Sequence, residues 1–162
     1  NFDNRSILSE NGTFVKDLSK YGNNGIVIGG AVFNSTGKYG GAFDFDGVND
    51  YITSSSSVFQ QNESAGFSGI VWFKLRGYNG LGPMFFRQGF FMRYNNISKD
   101  LQCYIYNSTG QFFFALSSPI SLSNGVWYSA GCVYNPISGN LSLYFNKNVV
   151  ATTTISNFDT GR

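Results

Sequence analysis

The chain has 162 residues, with 11 Lys and Arg against 9 Asp and Glu, so its formal net charge is +2. This length favours one domain with a core of its own, and so small a net charge gives no reason to expect a nucleic acid partner. The sequence contains no histidine, which excludes a Ser-His-Asp or Cys-His triad and removes the commonest zinc ligand.

Short stretches of alternating apolar and polar residues, bounded by Gly, Asn, Ser and Pro, predict β-strands along most of the chain. The predicted strands are, in chain order, Ile26–Phe33, Ala42–Phe45, Tyr51–Ser54, Phe67–Leu75, Met84–Arg87, Phe90–Tyr94, Leu101–Tyr106, Gln111–Leu116, Trp127–Tyr134, Leu141–Asn146 and Val149–Thr154. Two hairpins are predicted among them, one over 101–116 and one over 141–154. No segment has an apolar repeat at helical spacing over three turns.

So many short strands cannot form one flat sheet that has one apolar face and one polar, solvent-exposed face. The sequence therefore predicts an all-β domain over residues 1–162, with two antiparallel sheets packed face to face as a sandwich. The alternation within strands agrees with this. In the strand at 101–106, Leu, Cys and Ile share one face, whereas Gln and two Tyr share the other.

The two cysteines, Cys103 and Cys132, both lie on the side of their strands that we assign to the core. Two interpretations fit this position. The cysteines form a disulfide in an oxidising compartment, or they are two small buried hydrophobic residues.

Asn-X-Ser/Thr sequons are about twice as frequent as the Asn, Ser and Thr content predicts by chance. They lie at Asn4, Asn11, Asn34, Asn62, Asn96, Asn107 and Asn140. One interpretation is that Asn and Ser are simply abundant turn formers. The other is a glycosylated extracellular surface, on which glycans supply the solubility that charges do not.

The sequence shows no signal-peptide pattern and no apolar run long enough to span a membrane. We interpret the chain as a mature or excised piece of a longer secreted or cell-surface protein. The expected location is therefore extracellular, without insertion into a membrane.

Three stretches, at 17–25, 37–52 and 125–129 followed by the strand at 141–146, together resemble laminin-G-like, concanavalin A-like jelly-roll domains of microbial surface proteins. The Gly-Lys-Tyr-Gly-Gly-Ala to Asp-Tyr-Ile block at 37–52 is the most specific part, and Phe2-Asp3 is similar to the family's opening strand. The resemblance implies a jelly-roll sandwich used for adhesion or carbohydrate binding, in some members with calcium.

The family's pattern continues past Arg162, and its last strands have no counterpart here. A jelly roll without its closing strands leaves an open sheet edge, which is a template for a further strand. That strand comes either from the rest of the parent chain or from a neighbouring subunit, unless the fold closes without it. The edge at the N-terminal strand near Phe2 is the expected acceptor.

Calcium is the metal ion that the sequence best accommodates, because Asp46, Asn49 and Asp50 supply oxygen ligands within five positions. The alternative is that these side chains cap the backbone of their loop without a metal. Glycosidase activity is not expected. Asp44 and Asp46 are the only carboxylate pair at i, i+2, and they lead into a turn rather than across a cleft.

Aromatic runs at 85–86, 90–91 and 112–114 place rings on both sides of their strands. We expect Tyr104, Tyr106 and Phe113 on the outer face, where they would stack on sugars or pack against a partner. The predicted function is a non-catalytic, lectin-like adhesion module that binds a carbohydrate or an extracellular protein. The alternative is a structural subunit of a surface layer or filament that assembles through an open sheet edge.

Overall fold

The structure is a computed structural model that describes residues 12–54, 66–77, 81–87, 90–106 and 110–156. Within these residues it contains thirteen β-strands and no helix, so none of them forms a helix that could cross a membrane. The strands are β1 (Phe14–Val15), β2 (Gly25–Ile28), β3 (Val32–Gly37), β4 (Gly40–Asp44), β5 (Tyr51–Ser54), β6 (Phe67–Lys74), β7 (Leu81–Arg87), β8 (Phe90–Asn95), β9 (Asp100–Tyr106), β10 (Phe112–Leu116), β11 (Trp127–Asn135), β12 (Asn140–Phe145) and β13 (Asn148–Thr154). The chain divides into two compact units, Asn1–Gln60 and Gln61–Arg162. That both belong to one domain stays a prediction.

The first unit contains an antiparallel sheet in the order β1-β2-β5 and a separate β3-β4 hairpin. Its small core consists of buried Val15, Ala31 and Phe43, against which further apolar side chains pack. Phe33 and Phe43 are directly opposite each other in the hairpin, and their ring centroids are 5.9 Å apart in an edge-to-face arrangement. This cross-strand pair ties the hairpin to the core.

The prediction of one strand over 26–33 is wrong, because the chain turns between β2 and β3 at Gly29 and Gly30. Both glycines have positive φ, +87° and +123°. A Cβ added to Gly29 would lie 2.3 Å from the Asn49 carbonyl oxygen. Only glycine fits this close approach between the turn and the loop before β5.

The loop between β1 and β2 is organised around the Asp17 carboxylate. Its oxygens accept hydrogen bonds from the Ser19 amide and hydroxyl and from the Asn23 amide, at 2.7–2.8 Å. The Asp17 amide in turn donates to Oδ1 of Asn24 at 3.0 Å. The bonds from Ser19 and Asn23 favour the charged carboxylate and hold the pKa of Asp17 below its usual value.

The second unit contains two antiparallel sheets of four strands each, in the orders β10-β9-β8-β7 and β13-β12-β11-β6. Buried side chains from both sheets form one core, so the sheets pack face to face. The buried members are Phe90, Met92, Tyr94, Leu101, Cys103, Ile105, Ala115, Ala130, Cys132, Tyr134, Leu141, Leu143 and Ile155. The two-sheet antiparallel sandwich predicted from the sequence is thus confirmed.

A disulfide between Cys103 on β9 and Cys132 on β11 joins the two sheets, with 6.2 Å between the Cα atoms. Both residues are fully buried, as either interpretation predicts, and the bond between them decides for the disulfide. At one edge of the sandwich the Thr153 hydroxyl on β13 donates to the Phe114 carbonyl on β10 at 2.7 Å. The sheets are therefore linked covalently at the centre and by a hydrogen bond at this edge.

The predicted strands from Phe67 onward are all present, each with ends within three residues of the prediction. Both predicted hairpins, β9-β10 and β12-β13, are confirmed by their antiparallel registers. The β12-β13 turn is formed by Asn146 and Lys147, which both have positive φ, 46° and 75°. Oδ1 of Asn146 accepts a hydrogen bond from the Ser129 amide at 3.0 Å, which attaches the turn to β11.

Candidate ligand-binding face

The outer side of the β10-β9-β8 sheet carries a row of aromatic side chains. Strand alternation turns Met92, Cys103 and Ala115 into the core, so their neighbours in each strand point away from it. The side chains of this outer side define two adjoining surfaces. The aromatic face consists of Phe91, Tyr104, Tyr106, Phe112 and Phe114, and the polar strip beside it consists of Arg93, Asp100 and Gln102.

The rings of the aromatic face pack against one another across the strands. Phe91 and Tyr104 are directly opposite in the register and stack nearly parallel, with centroids 4.5 Å apart. Tyr104 contacts Phe114 at 5.8 Å, and Tyr106 contacts Phe112 at 6.0 Å. On β10, Phe112 and Phe114 remain 53% and 42% exposed. The face is therefore a continuous aromatic layer whose most accessible rings lie on β10.

Gln102 organises the polar strip. Its Oε1 accepts hydrogen bonds from Nε of Arg93 at 2.6 Å and from the Tyr104 hydroxyl at 3.1 Å, while its Nε2 donates to Asp100 Oδ1 at 2.9 Å. Although it points to the outer side of the sheet, Gln102 is only 5% exposed. Both ends of its amide are thus satisfied, and the neighbouring polar groups are held in fixed positions.

The Arg93 guanidinium lies over the stacked pair of rings. Its central carbon is 5.4 Å from the Phe91 centroid and 5.3 Å from the Tyr104 centroid. A guanidinium at this distance is attracted to the negative face of an aromatic ring. Arg93 therefore connects the aromatic face to the polar strip.

Tyr104 and Tyr106 lie on the aromatic face, but the prediction that Phe113 does so is wrong. Phe113 pairs with Ile105 and packs against the buried core, while Phe112 and Phe114 take the outer positions. Three consecutive phenylalanines show no alternation of apolar and polar residues, so the sequence does not indicate which of their side chains point into the core. The register with β9 decides this, because Ile105 is fully buried. The role of the tyrosines in binding stays a prediction.

Sequence reasoning missed Phe91, Arg93 and Gln102 as members of this site. The alternation within 101–106 had placed Gln102 beside the tyrosines, but nothing in the sequence indicated that it would be buried. Arg93 is directly opposite Gln102 in the β8-β9 ladder, so only the pairing of these strands brings their polar groups together.

The loop proposed for calcium caps its own backbone. Oδ2 of Asp50 accepts a hydrogen bond from the Asp46 amide at 2.9 Å, and Oδ1 of Asp46 accepts one from the Val48 amide at 2.8 Å. Oδ1 of Asp50 is buried and has no hydrogen-bond partner within the described part of the chain. That oxygen fits a cation, but no group of three or more His, Cys, Asp or Glu among the described residues could hold a metal ion.

Three of the predicted glycosylation acceptors lie in described residues. Asn34 is within β3, and its Nδ2 donates to the Asp44 carboxylate at 2.9 Å. Asn96 lies in the turn between β8 and β9, where its Oδ1 accepts from Nζ of Lys99 at 2.8 Å. Asn140 begins β12, and its Oδ1 accepts from the Thr154 hydroxyl at 2.9 Å. The acceptors Asn4, Asn11, Asn62 and Asn107 lie outside the described residues, as does Phe2.

The sandwich agrees with a comparison of the sequence with known protein families. The laminin-G-type profile of the concanavalin A-like lectin/glucanases superfamily matches residues 46–161. The chain belongs to this family. No curated protein shows significant similarity to it.

Membership of the concanavalin A-like family confirms the fold that the sequence resemblance implied and supports a binding module that recognises carbohydrate or protein. The superfamily's description includes glucanases as well as lectins. Glycoside hydrolysis depends on a pair of carboxyl groups, and Asp44 and Asp46 are the pair closest together in the sequence. Asp44 accepts a hydrogen bond from Asn34 at the end of β4, and Asp46 caps the following loop. Both carboxylates therefore have structural partners close by in the chain.

Proposed function

We propose that the protein is a non-catalytic, extracellular adhesion module that binds carbohydrate through the aromatic face. The observation that carries the proposal is the continuous layer of aromatic rings on the outer side of β8, β9 and β10, with Phe112 and Phe114 about half exposed. Soluble proteins rarely leave such a patch open unless it is an interaction site.

The chemistry beside the rings favours a sugar over an apolar protein surface. Ring faces suit the C–H groups of a pyranose, while Arg93, Gln102 and Asp100 offer donors and acceptors at their margin. A purely apolar partner would cover this polar strip and leave Arg93 desolvated without compensation.

The absence of catalysis is supported by the arrangement of the acids on β4 and the loop after it. Hydrolysis of a glycosidic bond needs two carboxyl groups that flank the substrate. Asp44 and Asp46 instead hold a side-chain amide and a backbone amide of their own unit.

The extracellular location is supported by the buried disulfide and by the excess of sequons. Disulfides persist in secreted proteins and are rare where thiols are kept reduced. Glycans on a surface with few charges would increase its solubility.

The test is a glycan array probed with the chain produced as a secreted, oxidised protein, beside two variants. Phe112→Ser/Phe114→Ser removes the two most exposed rings of the aromatic face. Ile137→Ser is the matched control, because Ile137 is 97% exposed in the turn between β11 and β12. We expect glycan binding that the double variant loses and the control keeps.

Binding that survives the double substitution would refute the aromatic face as the site. A silent array with wild-type protein that forms polymers in light scattering would instead support the alternative function, a structural subunit of a surface layer or filament.

A further inference from the structure

Arg93 is the cation of the polar strip, and no acid among the described residues forms an ion pair with it. Within the described residues its only polar partner is the neutral Oε1 of Gln102, which accepts from Nε. Asp100, on the same strip, directs its Oδ1 to Gln102 and to the Ser98 hydroxyl. No described residue accepts a hydrogen bond from either terminal nitrogen of the guanidinium, which leaves both of them for a ligand on this part of the sheet.

From these contacts we propose that the ligand of the aromatic face is an acidic oligosaccharide, whose carboxylate or sulfate binds the terminal nitrogens of Arg93. The inference rests on the proposed function and names the chemical class of its ligand. A planar guanidinium matches the geometry of a carboxylate with two parallel hydrogen bonds, which are stronger than bonds between neutral groups.

The side chain is held ready for this role before the ligand arrives. Gln102 fixes Nε, and the rings of Phe91 and Tyr104 contact the guanidinium, with their centroids 5.4 and 5.3 Å from its central carbon. An arginine that is free in solvent loses much rotamer freedom when it binds, whereas one held on three sides loses little. This arrangement increases affinity without any additional contact.

The distance across the sheet sets the size of the ligand. Arg93 is on β8, whereas the most exposed rings, Phe112 and Phe114, are on β10. Neighbouring strands are about 4.8 Å apart, so these groups are separated by about 10 Å across the sheet. A ligand that stacks on β10 and pairs with Arg93 must extend over more than one sugar ring, which makes it an oligosaccharide.

Isothermal titration calorimetry with three oligosaccharides of equal length tests the proposal. An oligogalacturonate carries carboxylates, a heparin-derived fragment carries sulfates, and a cello-oligosaccharide is neutral. The variants are Arg93→Gln, which removes the charge, and Arg93→Lys, which keeps the charge but not the planar fork. Lys147→Gln is the control, because it removes one cation from the exposed β12-β13 turn. Melting curves and circular dichroism of each variant show that it is folded.

We expect wild-type protein to bind at least one acidic oligosaccharide, and to bind it more weakly as salt increases. The affinity should fall about tenfold or more in both Arg93 variants and stay unchanged in the control. The acidic ligand that binds distinguishes carboxylate from sulfate recognition.

Two results would overturn the inference. Equal binding of acidic and neutral oligosaccharides, with no effect of either Arg93 variant, would remove the acidic ligand and leave the proposed carbohydrate-binding function intact. Acidic binding that Lys147→Gln weakens as much as Arg93→Gln would reveal a non-specific charge effect. If none of the oligosaccharides and no glycan on the array binds, the proposed function itself fails.

Discussion

Removing the disulfide between Cys103 and Cys132 should strongly destabilise the protein. The bridge closes a loop with a sequence separation of 29 residues. In the chain-entropy description, this loop restricts the unfolded chain by about 3.6 kcal/mol at 25 °C. For a chain of this size, such a loss corresponds to a decrease in melting temperature of about 10 °C.

Urea unfolding of Cys103→Ala/Cys132→Ala beside the oxidised wild type measures the effect. Both the midpoint and the slope of the transition carry information. Because the disulfide acts mainly on the unfolded state, its removal should lower the midpoint and also increase the slope, since more surface becomes exposed on unfolding. A lower midpoint with an unchanged slope would indicate lost packing in the core instead.

The reasoning would be refuted if the double variant and wild type unfolded at the same urea concentration. A thiol assay on unfolded wild-type protein provides the control. Two reactive thiols in material from an oxidising compartment would show that the bridge between β9 and β11 had not formed.

Four further expectations concern single turns, loops and glycosylation acceptors. Lys147→Gly should stabilise the protein by about 1 kcal/mol in urea unfolding, because Lys147 has a φ of 75° in a two-residue hairpin turn. Asp17→Asn should lower the melting temperature at neutral pH. Because folding lowers the pKa of Asp17, the ionised carboxylate stabilises the folded state above the usual carboxyl range, and this stabilisation is lost as the pH falls through the folded pKa. The melting temperatures of wild type and Asp17→Asn should therefore converge in acid. Calcium bound at the loop that Asp50 closes should raise the melting temperature of wild type but not of Asp50→Asn, and an unchanged wild-type curve would leave this carboxylate with its capping role alone. In a glycosylating host, peptide mapping should find a glycan on Asn140 but not on Asn34, whose amide nitrogen is already bonded to a carboxylate; occupancy of Asn34 would contradict this.

Only part of the candidate site could be predicted from the sequence. Alternation within β9 correctly placed Tyr104 and Tyr106 outside the core, because side chains in one strand alternate strictly. The same rule could not orient Phe113, which has identical neighbours on both sides. Its orientation depends on which residue of β9 it faces, and this is a property of the strand pair rather than of the strand.

Local patterning therefore determined the strands from Phe67 onward, the two hairpins and the sandwich class, since the alternation and the turn residues behind them are close together in the chain. Three features were decided only by the tertiary structure: the turn at Gly29, the pairing of Cys103 with Cys132, and the contact of Arg93 with buried Gln102. Each joins different strands or a strand and a distant loop. Whether such groups meet depends on register and on the packing of one sheet over the other, which no local pattern of apolar and polar residues specifies.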